Sequence, residues 1–222
     1  MKTRYDLKSF ALDMEGLWQR HGGPESNGAD ARMLETGWNR FREKCKQKKI
    51  GFFDWPVDIS ETEVEQIKRL SAHLRSEFDG ALLFGIGGSY LGAACLLNAL
   101  ESEFAFPLHW VSNTDGPSIE KAVMFARAGN RAAVVISKSG NTIETLSAFY
   151  HLSQYLDPKG FVIITDPASG ELRRLVRKYC WESLVVPPNI GGRFSVFTAV
   201  GLLPLAMGGI DIASVLDATR HC

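Results

Sequence analysis

The chain has 222 residues, 45% of them hydrophobic, and its 25 basic and 25 acidic residues give a formal net charge of zero. Such a balance provides no global field that would attract nucleic acid or an anionic membrane, so an anion site must be a local feature. No apolar run approaches the roughly 18 residues of a membrane span, no signal-like apolar core follows the first residues, and the four cysteines lack paired or metal-type spacing. We therefore expect a cytoplasmic protein with no nucleic-acid partner, no membrane partner and no metal site.

Residues 1–57 are predicted to form a helical arm. Apolar residues at helical spacing predict a first helix over residues 7–18, with Asp6 as its N-cap. A second apolar stripe predicts another helix over residues 33–45, and its lysine-rich end is interpreted as a solvated helix C-terminus, where cations are favourable. Residues 51–56 are predicted to be an extended link to the domain that follows.

Residues 58–222 alternate between helix and strand patterns, as is typical of a parallel α/β domain. The first helix has Ser60 and Glu63 at capping-box spacing. Five apolar runs have strand length and are separated by helical patterns: 81–84, 108–111, 132–136, 161–165 and 184–186, with helices near 89–100, 117–128, 143–155 and 170–178. Runs without polar alternation indicate strands that are covered on both faces. The predicted fold is an α/β three-layer αβα sandwich whose five-stranded parallel sheet has the flavodoxin-like order 2-1-3-4-5.

Two loops follow the first and third predicted strands, and both have the composition of phosphate-binding turns. The glycine loop, residues 85–92, reads Gly-Ile-Gly-Gly-Ser-Tyr-Leu-Gly, and the serine loop, residues 137–142, reads Ser-Lys-Ser-Gly-Asn-Thr. Backbone N–H groups, hydroxyls and the positive end of a following helix together hold an anion. In the order 2-1-3-4-5 the sheet reverses between these two strands and leaves a crevice there. The fold and the loop composition therefore predict the same phosphate site.

The residue spacing in these two loops is also compatible with interpretations other than a phosphate site. The glycine loop lacks the dinucleotide pattern G-x-G-x-x-G, because Tyr90 stands at the third glycine, and it contains no Walker motif. A dinucleotide-binding oxidoreductase domain is therefore disfavoured. Tight packing of strand against helix would also explain the glycines, and a Ser/Thr-rich helix cap with Lys138 in solvent would explain the serine loop.

A third feature is Arg193, which lies within Gly191-Gly192-Arg193-Phe194-Ser195, after the fifth strand and before an apolar helix that reaches about Met207. An arginine at a glycine-flanked loop end can direct its guanidinium at an anion or a developing oxyanion. It can equally bond backbone carbonyls of the Pro187-Pro188 turn, and the spacing does not separate the two.

Four stretches occur in the order found in phosphoglucose isomerases, which belong to the broader group of sugar isomerase domains. They are the glycine loop, residues 111–116 (Val-Ser-Asn-Thr-Asp-Gly), the serine loop and residues 191–195 (Gly-Gly-Arg-Phe-Ser). The sequence therefore resembles the phosphoglucose isomerase family over roughly residues 80–215. The serine loop alone is shared by many sugar-phosphate domains, whereas the Gly-Gly-Arg-Phe-Ser stretch is highly specific to this family.

The resemblance implies interconversion of glucose 6-phosphate and fructose 6-phosphate through a cis-enediol(ate), a step of glycolysis and gluconeogenesis that needs no metal or organic cofactor. It also implies which residues bind the substrate phosphate, namely Ser89, Ser137, Ser139 and Thr142 with the backbone near Lys138. Gly88 would lie beside the sugar, and Arg193 would stabilise the charge of the enediolate. A homodimer is implied for the full-length protein.

Members of that family have a second sugar isomerase domain, which supplies the glutamate base and the histidine and lysine of ring opening and phosphate contact. This chain lacks matching segments. We expect residues 58–222 to be the first sugar isomerase domain of a longer isomerase, with a natural half-length relative as the alternative. The 222 residues are expected to bind a sugar phosphate weakly and to have little or no isomerase activity. A non-catalytic sugar-phosphate sensor is the rival hypothesis, although no basic recognition helix for DNA is evident.

Overall fold

The computed structural model describes residues 4–6, 11–13, 28–100 and 106–220. These residues fall into two compact units, one that ends at Ile50 and one that spans Gly51–Arg220. The two units meet between Ile50 and Gly51. The boundary predicted from the sequence, between a helical arm and a sugar isomerase domain, is at residue 58. The assignment of these two domains stays a prediction. None of the helices in the described ranges is both long and apolar enough to cross a bilayer.

The first unit contains a two-stranded antiparallel sheet and a long helix. Strand β1, Arg4–Asp6, pairs with β2, Ala11–Asp13, and helix α1 covers Gly28–Lys46. The helix predicted over residues 33–45 is therefore confirmed. The helix predicted over residues 7–18 is wrong where β2 forms, and its other residues lie outside the described ranges. A pattern of about a dozen residues is marginal as a helix without tertiary support, because every helix must first form a costly nucleus.

The second unit begins with a turn and a short helix. Helix α2, Trp55–Asp58, has a proline in its first turn, and Phe52 just before it stacks on the ring of Phe194 with centroids 4.2 Å apart. The extended link predicted for residues 51–56 is therefore wrong. A proline at the first helical positions has its φ already set for a helix, which favours this local structure.

A five-stranded parallel sheet forms the centre of the second unit. Its strands are β3 (Gly80–Phe84), β4 (Leu108–Val111), β5 (Arg131–Ser137), β6 (Phe161–Thr165) and β7 (Glu182–Val185). They lie in the order β4-β3-β5-β6-β7, and every neighbouring pair is parallel. This is the order 2-1-3-4-5, so the predicted topology is confirmed. The register places Phe84 beside Val135 and Ser137 beside Thr165, so these strands end at one edge of the sheet.

Helices cover both faces of this sheet and form the predicted three-layer αβα sandwich. They are α3 (Glu61–Glu77), α4 (Leu91–Ala99), α5 (Gly116–Arg127), α6 (Ile143–Leu152), α7 (Glu171–Tyr179), α8 (Ala199–Met207) and α9 (Ile212–Arg220). Ala81 and Leu83 of β3 join a core with α3, α8 and α9, whereas Leu82 and Phe84 join a core with α5, α6 and α7. Burial of both strand faces explains why the apolar runs lack polar alternation. The predicted capping box at the start of α3 is also present.

Candidate functional site

A cleft of about 450 Å³ lies at the carboxyl ends of β3, β5, β6 and β7. Ten residues line it: Ile86, Gly88, Ser89, Lys138, Ser139, Thr142, Asp166, Ser169, Gly192 and Arg193. Open parallel sheets bind their ligands at this edge, where the strand order reverses. The cleft therefore lies where the order 2-1-3-4-5 predicts a crevice, and it contains residues of both the glycine loop and the serine loop.

The serine loop makes a tight turn through Gly140, whose φ of +67° is a conformation that glycine adopts without strain. Ser137 lies beneath the turn with only 2% of its surface exposed. Its hydroxyl is 2.8 Å from the Thr142 hydroxyl and 3.5 Å from that of Ser139. Ser137 therefore does not line the cleft, and its contacts orient the two hydroxyls that do.

The start of α6 presents unused hydrogen-bond donors to this turn. Among the described residues, the backbone N–H groups of Ser139, Thr142 and Ile143 donate to no backbone or side-chain acceptor. The Thr142 hydroxyl lies at the N-cap position but does not cap the helix. The first N–H groups of a helix have no partner within the helix, and the dipole there favours negative charge. Free N–H groups and hydroxyls at one helix end make an anion site.

The glycine loop approaches the cleft through a turn of 3₁₀ helix, Gly87–Ser89, which brings Ser89 to the cleft wall. Gly88 touches the backbone of the loop that carries Arg193. A Cβ at Gly88 would lie 2.2 Å from the Gly192 carbonyl oxygen and 2.8 Å from the Arg193 nitrogen. Only a residue without a side chain permits this contact. Gly88 therefore lines the cleft and also sets the distance between two of its loops.

Arg193 reaches the cleft from residues 187–193, which we call the arginine loop. Its side chain is exposed on the cleft wall, in the 3₁₀ turn Gly192–Phe194. The alternative role considered for it, bonding of carbonyls near Pro187 and Pro188, is performed by another cation. The Lys138 ammonium donates to the Pro188 oxygen at 2.9 Å and to the Ile190 oxygen. The alternative that placed the Lys138 side chain in solvent is therefore wrong, because its ammonium group binds two carbonyl oxygens.

A fourth loop, residues 166–170, also lines the cleft. It was not identified from the sequence as part of the site. The Asp166 carboxylate accepts hydrogen bonds from the N–H groups of Ala168, at 2.8 Å, and Ser169, at 2.9 Å. These bonds hold the pKa of Asp166 below its usual value, and the Ser169 hydroxyl and the charge of Lys138 act in the same direction. The loop follows β6 at the same edge as the other loops, so the edge rule alone could have identified it.

The family model described as Phosphoglucose isomerase matches residues 75–219 of this chain. The chain belongs to the phosphoglucose isomerase family. The matched range includes every loop that lines the cleft. The resemblance carried by the glycine loop, the serine loop and the Gly-Gly-Arg-Phe-Ser stretch is therefore confirmed.

Individual relatives agree with this family assignment. The glucose-6-phosphate isomerase of Acetivibrio thermocellus is 36% identical over 186 residues, which cover 75% of this chain and 42% of that protein. A hypothetical protein from Thermus thermophilus has a TM-score of 0.78 at 29% identity, and the match covers 90% of this chain and 49% of that one. A glucose-6-phosphate isomerase from Chlamydia trachomatis has a TM-score of 0.60 at 25% identity, with coverages of 71% and 31%. The chain spans about half the length of the curated relatives it matches, between 41% and 52%.

The structure brings most of the predicted site residues of this phosphoglucose isomerase family member together. Six of them line the cleft: Gly88, Ser89, Lys138, Ser139, Thr142 and Arg193. Ser137 is the exception, since it lies under the serine loop. Their roles toward a ligand stay predictions. Within the described ranges, no three side chains of histidine, cysteine, aspartate or glutamate lie close enough together to hold a metal ion.

Replacing Asp166 by asparagine is expected to strengthen the binding of inorganic phosphate to the cleft. Asp166 is the only carboxylate among the described lining residues, and its lowered pKa keeps it ionised at neutral pH. Its charge opposes that of a bound phosphate, whereas the asparagine oxygen can still accept from the N–H groups of Ala168 and Ser169. A unit charge near a solvated site is worth on the order of 1 kcal/mol, so the dissociation constant should fall by roughly threefold to tenfold. Isothermal titration calorimetry at low salt measures it.

Asp157→Asn is the matched control for this experiment. Asp157 accepts a hydrogen bond from the Lys159 N–H in the same type of turn, and it does not line the cleft. Its replacement should leave phosphate affinity unchanged. Weaker phosphate binding in the Asp166→Asn protein would contradict the electrostatic argument and would indicate that the carboxylate supports the site through its turn.

Proposed function

We propose that this chain is the phosphate-binding part of a glucose-6-phosphate isomerase. In this proposal the protein interconverts glucose 6-phosphate and fructose 6-phosphate through a cis-enediol(ate), as part of glycolysis and gluconeogenesis. The observation that carries it is the meeting of free N–H groups and hydroxyls at the start of α6 with Arg193 on the wall of one cleft. A volume of about 450 Å³ is within the range of small-molecule sites.

The serine loop would anchor the phosphate of the substrate. The hydroxyls of Ser139 and Thr142, oriented by Ser137, and the Ser89 hydroxyl would donate to its oxygens. The N–H groups at the start of α6 would complete the cradle, since helix N-termini bind phosphate through their free donors. Anchoring of the remote phosphate would position the sugar carbons along the cleft, which is the usual use of binding energy from a non-reacting group.

Arg193 would stabilise the negative charge that develops when a proton leaves the carbon next to the carbonyl. A guanidinium is always protonated and presents several donors in a fixed plane, which suits the two adjacent oxygens of an enediolate. Its exposed position on the cleft wall leaves it available to a ligand. Stabilisation of this kind acts where charge forms in the transition state and is commonly worth a factor of about 10²–10³ in rate.

The general base would come from outside the residues that line this cleft. Asp166 is the only carboxylate among the described residues of the cleft lining. The pKa of Asp166 is lowered, whereas an efficient base has a pKa nearer the working pH. The described histidines, His73, His109 and His151, do not line the cleft. We therefore propose that another part of the protein supplies the base, and that these 222 residues have little or no isomerase activity of their own.

Binding measurements on this chain test the first half of the proposal. Glucose 6-phosphate should bind in calorimetry while unphosphorylated glucose should not, because the anchor is the phosphate. Full-rate turnover in a coupled assay would contradict the assignment of the base to another segment. Absence of any phosphate or sugar-phosphate binding would contradict the phosphate cradle itself. The homodimer and the cytoplasmic location stay predictions.

Replacing Arg193 by alanine separates the isomerase from the alternative of a sugar-phosphate sensor. In the full-length protein we expect kcat to fall by about 10²–10³, because the enediolate loses its charged donor. The affinity for inorganic phosphate should fall by no more than about tenfold, because the serine loop is untouched and only one solvated charge is lost. Arg69→Ala, an exposed arginine on α3, is the control. A full-length protein without turnover, in which the Arg193 variant keeps its ligand affinity, would instead support the sensor.

A further inference from the structure

The Lys138 side chain joins two loops of the cleft that are about fifty residues apart in the chain. Its ammonium group donates to the carbonyl oxygens of Pro188 and Ile190, both in the arginine loop. A lysine ammonium has three donors, so this contact uses two of them. Hydrogen bonds from a charged donor are stronger than those between neutral groups. Lys138 therefore connects the serine loop, to which its backbone belongs, with the loop that carries Arg193.

Three successive carbonyl groups of the arginine loop accept hydrogen bonds from other segments, two of them from Lys138. The Asn189 oxygen, which lies between the two that Lys138 holds, accepts from the Gly51 N–H at 3.1 Å. After these anchors come Gly191 and Gly192, and a Cβ added at Gly192 would meet nothing within 4 Å. On the other side of the glycines, the Ser195 hydroxyl donates to the Gly192 oxygen at 2.7 Å, and the Phe194 ring stacks on Phe52. The anchored carbonyls therefore hold the end of the loop that precedes Arg193, and these contacts hold the end that follows it.

We propose that Lys138 is a positioning residue, whose ammonium group holds the arginine loop so that Arg193 faces the anion site of the serine loop. This inference rests on the proposed function and deepens it, because it assigns the lysine a task other than direct phosphate contact. The hydroxyls and N–H groups of the serine loop hold the phosphate. The lysine of the same loop places the arginine that acts on the other end of the substrate.

Lys138→Met removes the donors and keeps a side chain of similar length, so it releases the arginine loop without opening a large cavity. Trypsin cleaves after arginine, and it requires local unfolding of the backbone around the cleaved bond. The rate of cleavage therefore reports how often the arginine loop opens. We expect cleavage of the Arg193–Phe194 bond to become at least about tenfold faster, because the loss of even one hydrogen bond from a charged donor corresponds to a factor of about ten. Mass spectrometry of a digestion time course measures this rate, and the bond after Arg127 in α5 is the internal reference.

Phosphate affinity distinguishes positioning from direct ligation. Inorganic phosphate should bind to the Lys138→Met protein with an affinity less than about tenfold weaker than the original, since one solvated charge is lost but no direct ligand of the phosphate. Lys138→Arg, which keeps the charge and the donors, should restore slow cleavage after Arg193. Lys159→Met, at an exposed lysine on another loop, is the control and should change neither quantity.

Two results would overturn the positioning role. One is loss of phosphate affinity by tenfold or more with an unchanged cleavage rate after Arg193, because a direct ligand behaves in that way. The other is an equal cleavage rate in the original protein and all Lys138 variants. Lys138→Gln provides the same comparison if the methionine variant does not fold. Lack of phosphate binding in the original protein contradicts the proposed function, and the cleavage rates then still decide the role of Lys138.

Discussion

Replacing Gly170 by alanine is expected to lower the free energy of unfolding by about 3 kcal/mol and to abolish phosphate binding at the serine loop. Gly170 has φ +93° and ψ 159°, a region that is essentially restricted to glycine. A Cβ there would lie 2.3 Å from the Ser139 carbonyl oxygen and 3.0 Å from the Gly140 Cα. Because both are backbone atoms, the serine loop must move to accept the methyl group. Urea denaturation measures the loss of stability, and calorimetry measures phosphate binding.

Gly116→Ala is the control for this substitution. Gly116 lies in the first turn of α5, and a Cβ added there would meet nothing within 4 Å. Its replacement should change stability by less than about 1 kcal/mol, because a compatible Gly→Ala change acts mainly on the unfolded chain. Normal stability with normal phosphate affinity in the Gly170→Ala protein would show that residues 166–170 can move without the serine loop.

Replacing Gly88 by alanine is expected to weaken glucose 6-phosphate binding about tenfold or more and to weaken inorganic phosphate binding by a smaller factor. The Cβ would lie 2.2 Å from the Gly192 carbonyl oxygen, so the glycine loop and the arginine loop must separate by about 1 Å. A displacement of about 1 Å can lower the rate of a reaction in a positioned site about a hundredfold, and we expect the contacts to the sugar to be weakened for the same geometric reason. The serine loop does not take part in this contact, so inorganic phosphate keeps the donors of that loop and loses only the Ser89 hydroxyl, which moves with Gly88. Parallel calorimetric titrations with the two ligands measure the difference.

Gly116→Ala is the control here as well, because Gly116 does not line the cleft. A Cβ at Gly116 would meet nothing within 4 Å, so both affinities should remain close to the original. If Gly88→Ala weakened both ligands equally, the effect would be general disruption of the cleft rather than separation of two loops. If it weakened neither, the arginine loop would not contribute to sugar binding.

The fold could be predicted from the sequence because its central strands are buried on both faces. Ala81 and Leu83 face one core and Leu82 and Phe84 face the other, so each strand is an unbroken apolar run that stands out between helices. The strand order could then be matched to the loop composition, since the glycine loop and the serine loop must meet at the reversal point. Six of seven predicted site residues line the cleft for this reason.

The features that the sequence did not reveal depend on contacts between distant segments. Lys138 finds its partners at Pro188 and Ile190, and no local pattern identifies a pairing across fifty residues. Asp166 belongs to a turn of ordinary composition, so only its place at the sheet edge marks it. The predicted helical pattern failed at residues 11–13, where β2 forms, for a related reason. A short amphipathic pattern becomes a helix only when another surface covers its apolar side.

The register of the parallel sheet has a consequence for how the site forms. The loops of the cleft come into range only when β3, β5, β6 and β7 have paired, and Ser137 lies beside Thr165 only in the correct register. Such pairings connect residues far apart in the chain, which makes them late and slow events in folding. A ligand of the cleft would therefore find no binding site in a partly folded chain. We expect it to slow unfolding rather than to speed folding, because it binds only after the strands have paired.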